Sequence, residues 1–308
     1  MVPAMTLALL GPTASGKSAL AVRLAWHLTA HGRPAEIVNA DSMLVYRGMD
    51  IGTAKPTFDE RRGIPHHLID ILDINETASV ADFQRLAREA IRTCHDRGAV
   101  PILVGGSALY LRAILDEFAF PGTDPAVRAD LEAELAARGP LAMYERLALL
   151  APDAAAEMQP MNGRRIVRAL EVIALTGSYR ATLPEHHYAL PGVVQVGLAI
   201  DRATMDTRID ARVDEMWSKG LVAEVAALAE RGLREGRTAS RALGYQQVLA
   251  YLDGSCTEEQ AAQDTAAGTR RFARKQLGWW RRDPRIYWVD ALDLPTPTEL
   301  VAECEARL

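Results

Sequence analysis

A glycine-rich segment near the start of the chain, GPTASGKS at residues 11–18, matches the phosphate-binding pattern G-x-x-x-x-G-K-[ST]. An apolar run precedes it and an amphipathic run follows it, so the pattern predicts a strand, a loop and a helix in that order. In such a loop the backbone N–H groups surround a phosphate, Lys17 adds a positive charge, and the Ser18 hydroxyl can ligate Mg²⁺. The segment therefore predicts a di- or triphosphate site.

The other runs of the first 120 residues extend this pattern. The short apolar runs TLALL, AEIVNA and VPILVGG alternate with longer amphipathic stretches of helical periodicity. Such alternation is typical of βαβ units, and it predicts an α/β fold with a P-loop NTPase-like parallel sheet flanked by helices. Ligands of such sheets bind at the carboxyl ends of the strands.

Residues 121–190 differ from their surroundings, because they are helical in pattern, rich in Ala and Leu, and without a strand-like run. We interpret them as a small all-helical insertion domain. The run GVVQVGLAID then predicts a returning core strand, so that residues 1–120 and 191–308 together form the catalytic core.

Composition places limits on partners and compartment. The 308 residues carry a formal net charge of -5, so binding to nucleic acid would require local basic patches. Cys94, Cys256 and Cys304 are far apart and form no C-x-x-C pair, which argues against a disulfide framework or a zinc site. We expect a cytoplasmic protein with no signal peptide and no membrane span.

A carboxylate follows the second apolar run, where Asp41 comes just after Ile37 and Val38. On a parallel strand it would lie at the same sheet edge as the phosphate loop, where it could accept a proton or hold Mg²⁺. Two alternatives remain open at this point. Asp41 could only cap the next helix, or Asp70, which closes the run HHLID, could be the metal-holding carboxylate.

Seven segments occur together in an order and at a spacing that resemble one enzyme family. They are GPTASGKS, NADSMLVYRGMDIGTAKP, PHHLID, GGSALYLRAIL, RRIVRALEV, ALGYQQ and TRRFARKQLGWWRR. Their arrangement, from about residue 7 to residue 282, is similar to that of the tRNA dimethylallyltransferases, or tRNA isopentenyltransferases, of the IPP transferase family. Ser18 and Ser107 stand where this family usually has Thr, and the segment QPMNGRR departs from its usual lead-in.

The resemblance implies a reaction and its groups. Such enzymes move a dimethylallyl group from dimethylallyl diphosphate to N6 of adenosine 37 of tRNA, with Mg²⁺ as cofactor. Asp41 would be the base, and Ser107 and Arg212 would complete the catalytic residues. The diphosphate would be held by Gly11, Thr13, Ala14, Ser15, Gly16, Lys17 and Ser18, with Ser18 also on the metal.

We expect a monomeric enzyme. The resemblance also implies contacts to the anticodon stem-loop of tRNA, in part by the insertion domain of residues 121–190. These contacts would come from Asp41, Ser42, Met43, Leu44, Ser107, Arg128, Arg164, Arg165, Arg168, Arg241, Gly244, Tyr245 and Gln246. The segment 269–285 adds seven basic residues and one acid, with Trp279 and Trp280 among them. It reads as a phosphate-binding stripe, or as an amphipathic helix with its tryptophans in the core.

A small-molecule or nucleotide kinase is the alternative function, because a phosphate loop on a parallel sheet with a helical insertion as lid describes many kinases. A nucleotide-binding regulator without catalysis is a third possibility, supported by little beyond the loop. The basic segment near the end of the chain argues for an RNA substrate instead.

Overall fold

The structure is a computed structural model that describes residues 5–179 and 185–308. The chain divides into two compact units. The core unit comprises Met1–Asp116 and Tyr188–Leu308, and the insertion unit comprises Glu117–His187. The assignment of residues 121–190 as a tRNA-binding domain stays a prediction.

A six-stranded sheet lies at the centre of the core unit, and all of its strand pairs are parallel. In chain order the strands are β1 (Thr6–Leu10), β2 (Ala35–Asn39), β3 (His66–His67), β4 (Val100–Gly105), β5 (Val193–Ala199) and β6 (Ile286–Asp290). Their spatial order is β3-β2-β4-β1-β5-β6. The predicted α/β class with a P-loop-like parallel sheet is confirmed.

Twelve α-helices are found among the described residues. They are α1 (Lys17–Ala30), α2 (Phe58–Arg61), α3 (Val80–Asp96), α4 (Ala108–Leu115), α5 (Pro125–Leu150), α6 (Pro152–Ala156), α7 (Gly163–Thr176), α8 (Arg202–Ser218), α9 (Leu221–Glu230), α10 (Tyr245–Leu252), α11 (Glu258–Trp280) and α12 (Pro297–Glu305). Helices α5 to α7 form the insertion unit, and the others belong to the core unit.

The sheet is buried on both faces, as a central parallel sheet should be. Along β1, Leu7 and Leu9 belong to one apolar cluster with residues of α1, while Ala8 and Leu10 belong to a second cluster with residues of α3 and α4. Strand β1 is therefore buried at every position, and the apolar run that follows Thr6 is the consequence of this double burial. The loops after β1, β2 and β4 emerge together at one edge of this rigid sheet.

The long connection between β2 and α2 is held in place by Glu224 on α9. Its carboxylate accepts the N–H groups of Asp50, Ile51 and Gly52 at 3.1, 2.7 and 3.3 Å. The hydroxyl of the buried Tyr245 donates to the same carboxylate at 2.6 Å. One acid thus replaces the regular backbone pairing that this irregular segment lacks.

The insertion unit has its own apolar core. Leu131, Met143 and Leu147 of α5 pack with Ile166 and others from α7. Within α5, Gly139 has a φ of 78°, and Pro140 begins the second half of the helix. Proline is well suited to a helix start, and glycine supplies the left-handed residue that separates the two halves.

We expect Glu224→Ala to lower the free energy of unfolding by about 1–3 kcal/mol for each partly buried donor that no other group satisfies. Urea denaturation monitored by far-UV circular dichroism measures this. The matched control is Glu230→Ala, because Glu230 lies exposed on the same helix. Equal stability of the two variants would show that Glu224 does not anchor the segment.

Candidate active site

The predicted phosphate loop connects β1 to α1, as its sequence pattern requires. Gly16 is the N-cap of α1, with a left-handed φ of 90°. A Cβ at Gly11 would lie 2.9 Å from Ser15 Oγ and 3.3 Å from Leu198 Cβ, so this position has no room for a side chain. The first N–H groups of α1 have no acceptor within the helix, and they are available to an anion.

Lys17 opens α1 and lines the cavity beside this loop. Its Nζ donates to the carbonyl oxygen of Pro12 at 3.2 Å. Burial lowers the pKa of Lys17 to about 8; the negative charge of Asp41 opposes this change, and the positive charge of Arg212 adds to it. Lys17 is therefore a cation that an additional anion in the cavity would stabilise.

Arg212 reaches the same loop from α8. Its Nη1 donates to Thr13 Oγ1 at 3.2 Å, and its Nη2 donates to the carbonyl oxygen of Thr53 at 3.3 Å. Burial lowers the pKa of Arg212, while Asp41 acts in the opposite direction. Arg208, one turn earlier on the helix, also lines the cavity, but the Thr13 and Thr53 contacts are specific to Arg212.

Asp41 follows β2, and its negative charge interacts with the positive charges of Lys17 and Arg212. Its Oδ1 accepts the N–H of Met43 at 2.9 Å, and its own N–H donates to Asn39 Oδ1 at 2.8 Å. The suggestion that Asp41 only caps the next helix is wrong, because that helix starts at Phe58 and has Thr57 as its N-cap. Asp41 instead organises a turn through one oxygen, and it lines the cavity.

Asp70, the alternative metal-holding carboxylate, is engaged elsewhere. Its Oδ1 accepts from the buried Nζ of Lys55 at 2.5 Å, and the same Nζ donates to Asp50 at 2.6 Å. Asp70 is not part of the cavity wall. Its charge stabilises the segment between β2 and α2. Because Asp70 is paired with Lys55 outside the cavity wall, Asp41 is the better candidate for the carboxylate of the site.

Ser107 is the N-cap of α4, but its hydroxyl makes no capping hydrogen bond and instead lines the cavity. The end of β4 lies close to the Asp41 turn, since a Cβ on Gly105 would come within 2.4 Å of the carbonyl oxygen of Ala40. The absence of a side chain at Gly105 lets the two strand ends approach each other.

These groups surround one cavity of about 1000 Å³ within the core unit. The predicted site residues in its wall are Thr13, Ala14, Gly16, Lys17, Ser18, Asp41, Ser42, Met43, Leu44, Ser107, Arg212 and Arg241. Gly11 and Ser15 belong to the loop itself and lie behind this wall. A phosphate loop, two desolvated cations and a carboxylate at one cavity can bind a diphosphate and accept a proton beside it.

Comparison with known proteins identifies a family for this arrangement. The model of the family described as IPP transferase matches residues 44–283, which is most of the chain. A tRNA dimethylallyltransferase of Thermobifida fusca is 61% identical over 291 residues, which are 94% of this chain and 91% of that protein. One of Kineococcus radiotolerans is 60% identical over 296 residues, covering 96% and 93%. The chain belongs to the IPP transferase family.

Solved structures agree with this family assignment. The full-length tRNA isopentenylpyrophosphate transferase of Bacillus halodurans is 39% identical and has a TM-score of 0.71, covering 99% of this chain and 98% of that one. A eukaryotic dimethylallyltransferase, described as acting on tRNA, is 27% identical with a TM-score of 0.76, covering 93% and 74%. These matches favour this family of transferases over the kinase alternative.

The residues predicted to contact tRNA differ in their exposure. Arg164, Arg165, Arg241 and Gln246 are exposed, whereas the side chain of Tyr245 is fully buried. Burial and the nearby Glu224 raise the pKa of Tyr245, whose hydroxyl already donates to that carboxylate. Gly244 is buried too. Any RNA contact by the Tyr245 side chain would require movement of α10.

Arg128 and Arg168 of the insertion unit both contact the fully buried Glu171. Arg168 also donates to the carbonyl oxygens of Pro121 and Gly122, at 2.6 and 3.1 Å. Burial alone would raise the pKa of Glu171, but the two arginines lower it below its usual value. Arg128 therefore holds α5 to α7, and Arg168 holds α7 to the segment that precedes α5. The sequence analysis missed both structural roles.

The residues of the basic segment 269–285 also differ in burial. Trp280 is buried, while Trp279 is 37% exposed, so the two suggested environments each apply to one tryptophan. Arg285 does not belong to a surface stripe, because it donates to Asp116 and to Asp283 at 2.7 Å each. Four other basic residues of the segment are exposed, namely Arg271, Lys275, Arg281 and Arg282.

One group of potential metal ligands lies outside the cavity. Glu36, His67 and Cys94 place their ligand atoms within 4.8 Å of one another. The Glu36 carboxylate already accepts from Arg97 at 2.7 Å and contacts His67 at 2.5 Å. Burial raises the pKa of the Cys94 thiol to about 11. The group is a satisfied hydrogen-bond network.

The described residues include no helix that is both long and apolar enough to cross a membrane. The sequence analysis did not predict two residues whose contacts hold loops of the core unit, Glu224 and Gln276. Gln276 of α11 accepts the N–H of Thr13 at 3.0 Å and donates to the carbonyl oxygen of Gly106 at 2.9 Å. Neither contact follows from local spacing, since the partners are far apart in sequence.

We expect diphosphate affinity to fall as the pH rises through about 8, the pKa of Lys17. A bound anion favours the charged amine and raises this pKa, so affinity is highest below the pKa of the free protein. Above it, affinity declines by up to about tenfold per pH unit until the pKa of the complex is reached.

Isothermal titration with diphosphate between pH 7 and 9 measures this effect. Lys17→Met is the control, because it retains the proton equilibria of diphosphate itself. An equal pH slope in both proteins would contradict the assignment.

Proposed function

We propose that the chain transfers a dimethylallyl group from dimethylallyl diphosphate to N6 of adenosine 37 in tRNA. The bond from prenyl C1 to the diphosphate oxygen breaks, a bond from C1 to N6 forms, and N6 loses one proton. One observation carries the proposal. In a chain of the IPP transferase family, a single cavity is lined by the phosphate loop, Lys17, Arg212 and the carboxylate of Asp41.

The diphosphate end of the substrate would be held by the loop N–H groups, Lys17 and Arg212. Negative charge increases on the departing diphosphate as the C1–O bond breaks, and fixed cations lower the energy of that state. Both cations are desolvated before substrate arrives, as their lowered pKa values indicate. They therefore need little reorganisation during the reaction.

Asp41 would accept the proton of N6. This amine is a weak nucleophile, because its lone pair is delocalised into the adenine ring, and a nearby base assists its attack. The contact from Met43 N to Oδ1 fixes the carboxylate. Among the described residues, no hydrogen bond to Oδ2 is found, so this oxygen is the one we assign to the proton.

The relatives are prenyltransferases, a class that generally uses a divalent metal, and we propose Mg²⁺ here. Mg²⁺ favours a few protein oxygens together with substrate phosphates. The Ser18 hydroxyl and the Asp41 carboxylate are oxygen donors in one cavity wall, so the residues present fit this ion. Bound at Ser18, Mg²⁺ would neutralise charge on the diphosphate.

The RNA must present adenosine 37 outside its stacked loop, because N6 is otherwise inaccessible to the cavity. We propose that Ser42, Met43, Leu44, Ser107 and Arg241 contact the extruded nucleotide at the cavity. The exposed Arg164 and Arg165 of the insertion unit would contact RNA phosphates. We further propose that the enzyme acts as a monomer in the cytoplasm.

The proposed function is tested with purified protein, radiolabelled dimethylallyl diphosphate, Mg²⁺ and an unmodified tRNA that has adenosine at position 37. We expect label in the RNA, and none when position 37 is guanosine. Absence of label from the RNA, together with ATP hydrolysis in a parallel assay that contains ATP, would instead support the kinase and reject the prenyltransferase.

We expect Asp41→Asn to lower the turnover number by about 10²–10⁴-fold, the usual contribution of a general base. Asparagine keeps an oxygen for the Met43 N–H, so the turn should persist and tRNA affinity should stay near normal. Single-turnover rates and filter binding measure the two quantities. Asp59→Asn, at an exposed site on α2, is the control. An unchanged rate would show that Asp41 only organises its turn.

Arg212→Ala should weaken binding of dimethylallyl diphosphate, because the loop loses its second cation. Loss of one charge-assisted contact corresponds to about 1.5–3 kcal/mol, or roughly a 10- to 150-fold rise in the dissociation constant. Arg202→Ala, exposed on the same helix, is the control. A loss of tRNA affinity alone would contradict this role of Arg212.

A further inference from the structure

Gln276 connects two loops of the cavity that approach from different strands. We propose that Gln276 is a positioning residue: its side-chain amide holds the phosphate loop against the β4–α4 loop, and thereby sets the diphosphate relative to Ser107 and Asp41. The inference rests on the proposed function, since it concerns the same site. Gln276 itself touches protein backbone on both sides of its amide.

The two hydrogen bonds of this amide require an acceptor at one end of the side chain and a donor at the other. Oε1 accepts from Thr13 N at 3.0 Å, and Nε2 donates to the Gly106 carbonyl oxygen at 2.9 Å. Glutamate could serve only the first contact, and Met or Leu could serve neither. The residue is 6% exposed and lines the cavity. Removing its amide would leave the Thr13 N–H and the Gly106 carbonyl oxygen without these partners.

The first contact determines how Thr13 is used. Because its N–H points to Gln276, that N–H is not directed at the anion, and the Thr13 hydroxyl meets Nη1 of Arg212 at 3.2 Å. Gln276 therefore acts on Arg212 through Thr13. The neutral side chain of Gln276 thus influences the position of Arg212, one of the two cations that we propose bind the departing diphosphate.

The second contact explains a glycine in the other loop. A Cβ on Gly106 would lie 2.4 Å from Nε2 of Gln276, closer than non-bonded atoms approach. Gly106 directly precedes Ser107, whose hydroxyl lines the cavity. Gln276 and Gly106 thus form a matched pair, and the fit between them sets how closely the Ser107 loop approaches the phosphate loop.

The test compares Gln276→Met with Gln195→Met. Gln195 is an internal control, since it is 2% exposed, its Nε2 donates to Tyr188 and Asp283, and it lies outside the cavity wall. We expect Gln276→Met to lower kcat by about 10–10²-fold, as small misplacements of reacting groups do, with a much smaller change in the KM for dimethylallyl diphosphate. Gln195→Met should leave kcat unchanged even where it lowers the melting temperature.

Hydrogen exchange supplies a readout that does not depend on activity. In Gln276→Met, the amides of residues 11–18 and 105–108 should exchange faster than in the wild type, whereas Gln195→Met should leave them protected. Unchanged exchange, or a kcat equal to that of Gln195→Met, would overturn the positioning role. If the wild-type enzyme transferred no prenyl group, the proposed function would fail, and exchange would still decide whether Gln276 holds the loops.

A second pair of variants covers the case in which Gln276→Met does not fold. Gly106→Ala should reproduce the loss of kcat, because its methyl group displaces Nε2. In Gln276→Ala, which leaves space for that methyl group, adding Gly106→Ala should cause little further loss. Additive effects of the two substitutions would show that the pair does not act through its contact.

Discussion

The cavity depends on the interaction of one carboxylate with two cations that burial disfavours. Burial lowers the pKa values of Lys17 and Arg212, and the charge of Asp41 opposes this effect for both, joined by Glu215 in the case of Arg212. A second cation beside a desolvated amine would be costly without this carboxylate. A diphosphate brings further negative charge, so it can bind both cations. The carboxylate of Asp41 is then available to accept the proton of adenosine N6.

The parallel sheet brings most of these groups together, because its strands end at the same edge. Lys17, Asp41 and Ser107 follow β1, β2 and β4, which are neighbours in one parallel sheet, whereas Arg212 comes from α8. Each loop then has a separate restraint. Gly16 starts α1, Asn39 holds the Asp41 turn, and Gln276 holds the Ser107 loop. The rigid strands fix position, and the side-chain contacts fix orientation.

The sequence predicted those features that depend on local spacing. The phosphate loop and the parallel sheet follow from short patterns, because glycine, lysine and apolar residues act there within a few positions of one another. The functions of Gln276 and Glu224 could not be read in this way. Their partners are 263 and about 172 residues away, and only the folded chain brings them together.

Burial separates residues that look alike in the sequence. Trp279 and Trp280 are adjacent, yet only Trp280 enters the core, since neighbouring positions of a helix point in directions about 100° apart. The arginines differ for another reason. Arg164 and Arg165 are exposed, whereas Arg128 and Arg168 neutralise Glu171. A count of basic residues cannot distinguish a guanidinium that faces solvent from one that holds two helices together.

This distinction bears on how an acidic chain can act on RNA. The chain has a net charge of -5, and several basic groups, including Arg168, Arg274 and Arg285, already pair with acids. Phosphate contacts then depend on local groups of exposed cations, such as Arg164 with Arg165 and Arg281 with Arg282, and not on the net charge of the chain. Selectivity between RNAs would then come from the extruded base in the cavity. A base without an amine at that position would offer the carboxylate of Asp41 no N–H proton to accept. Recognition and catalysis would then depend on the same side chain.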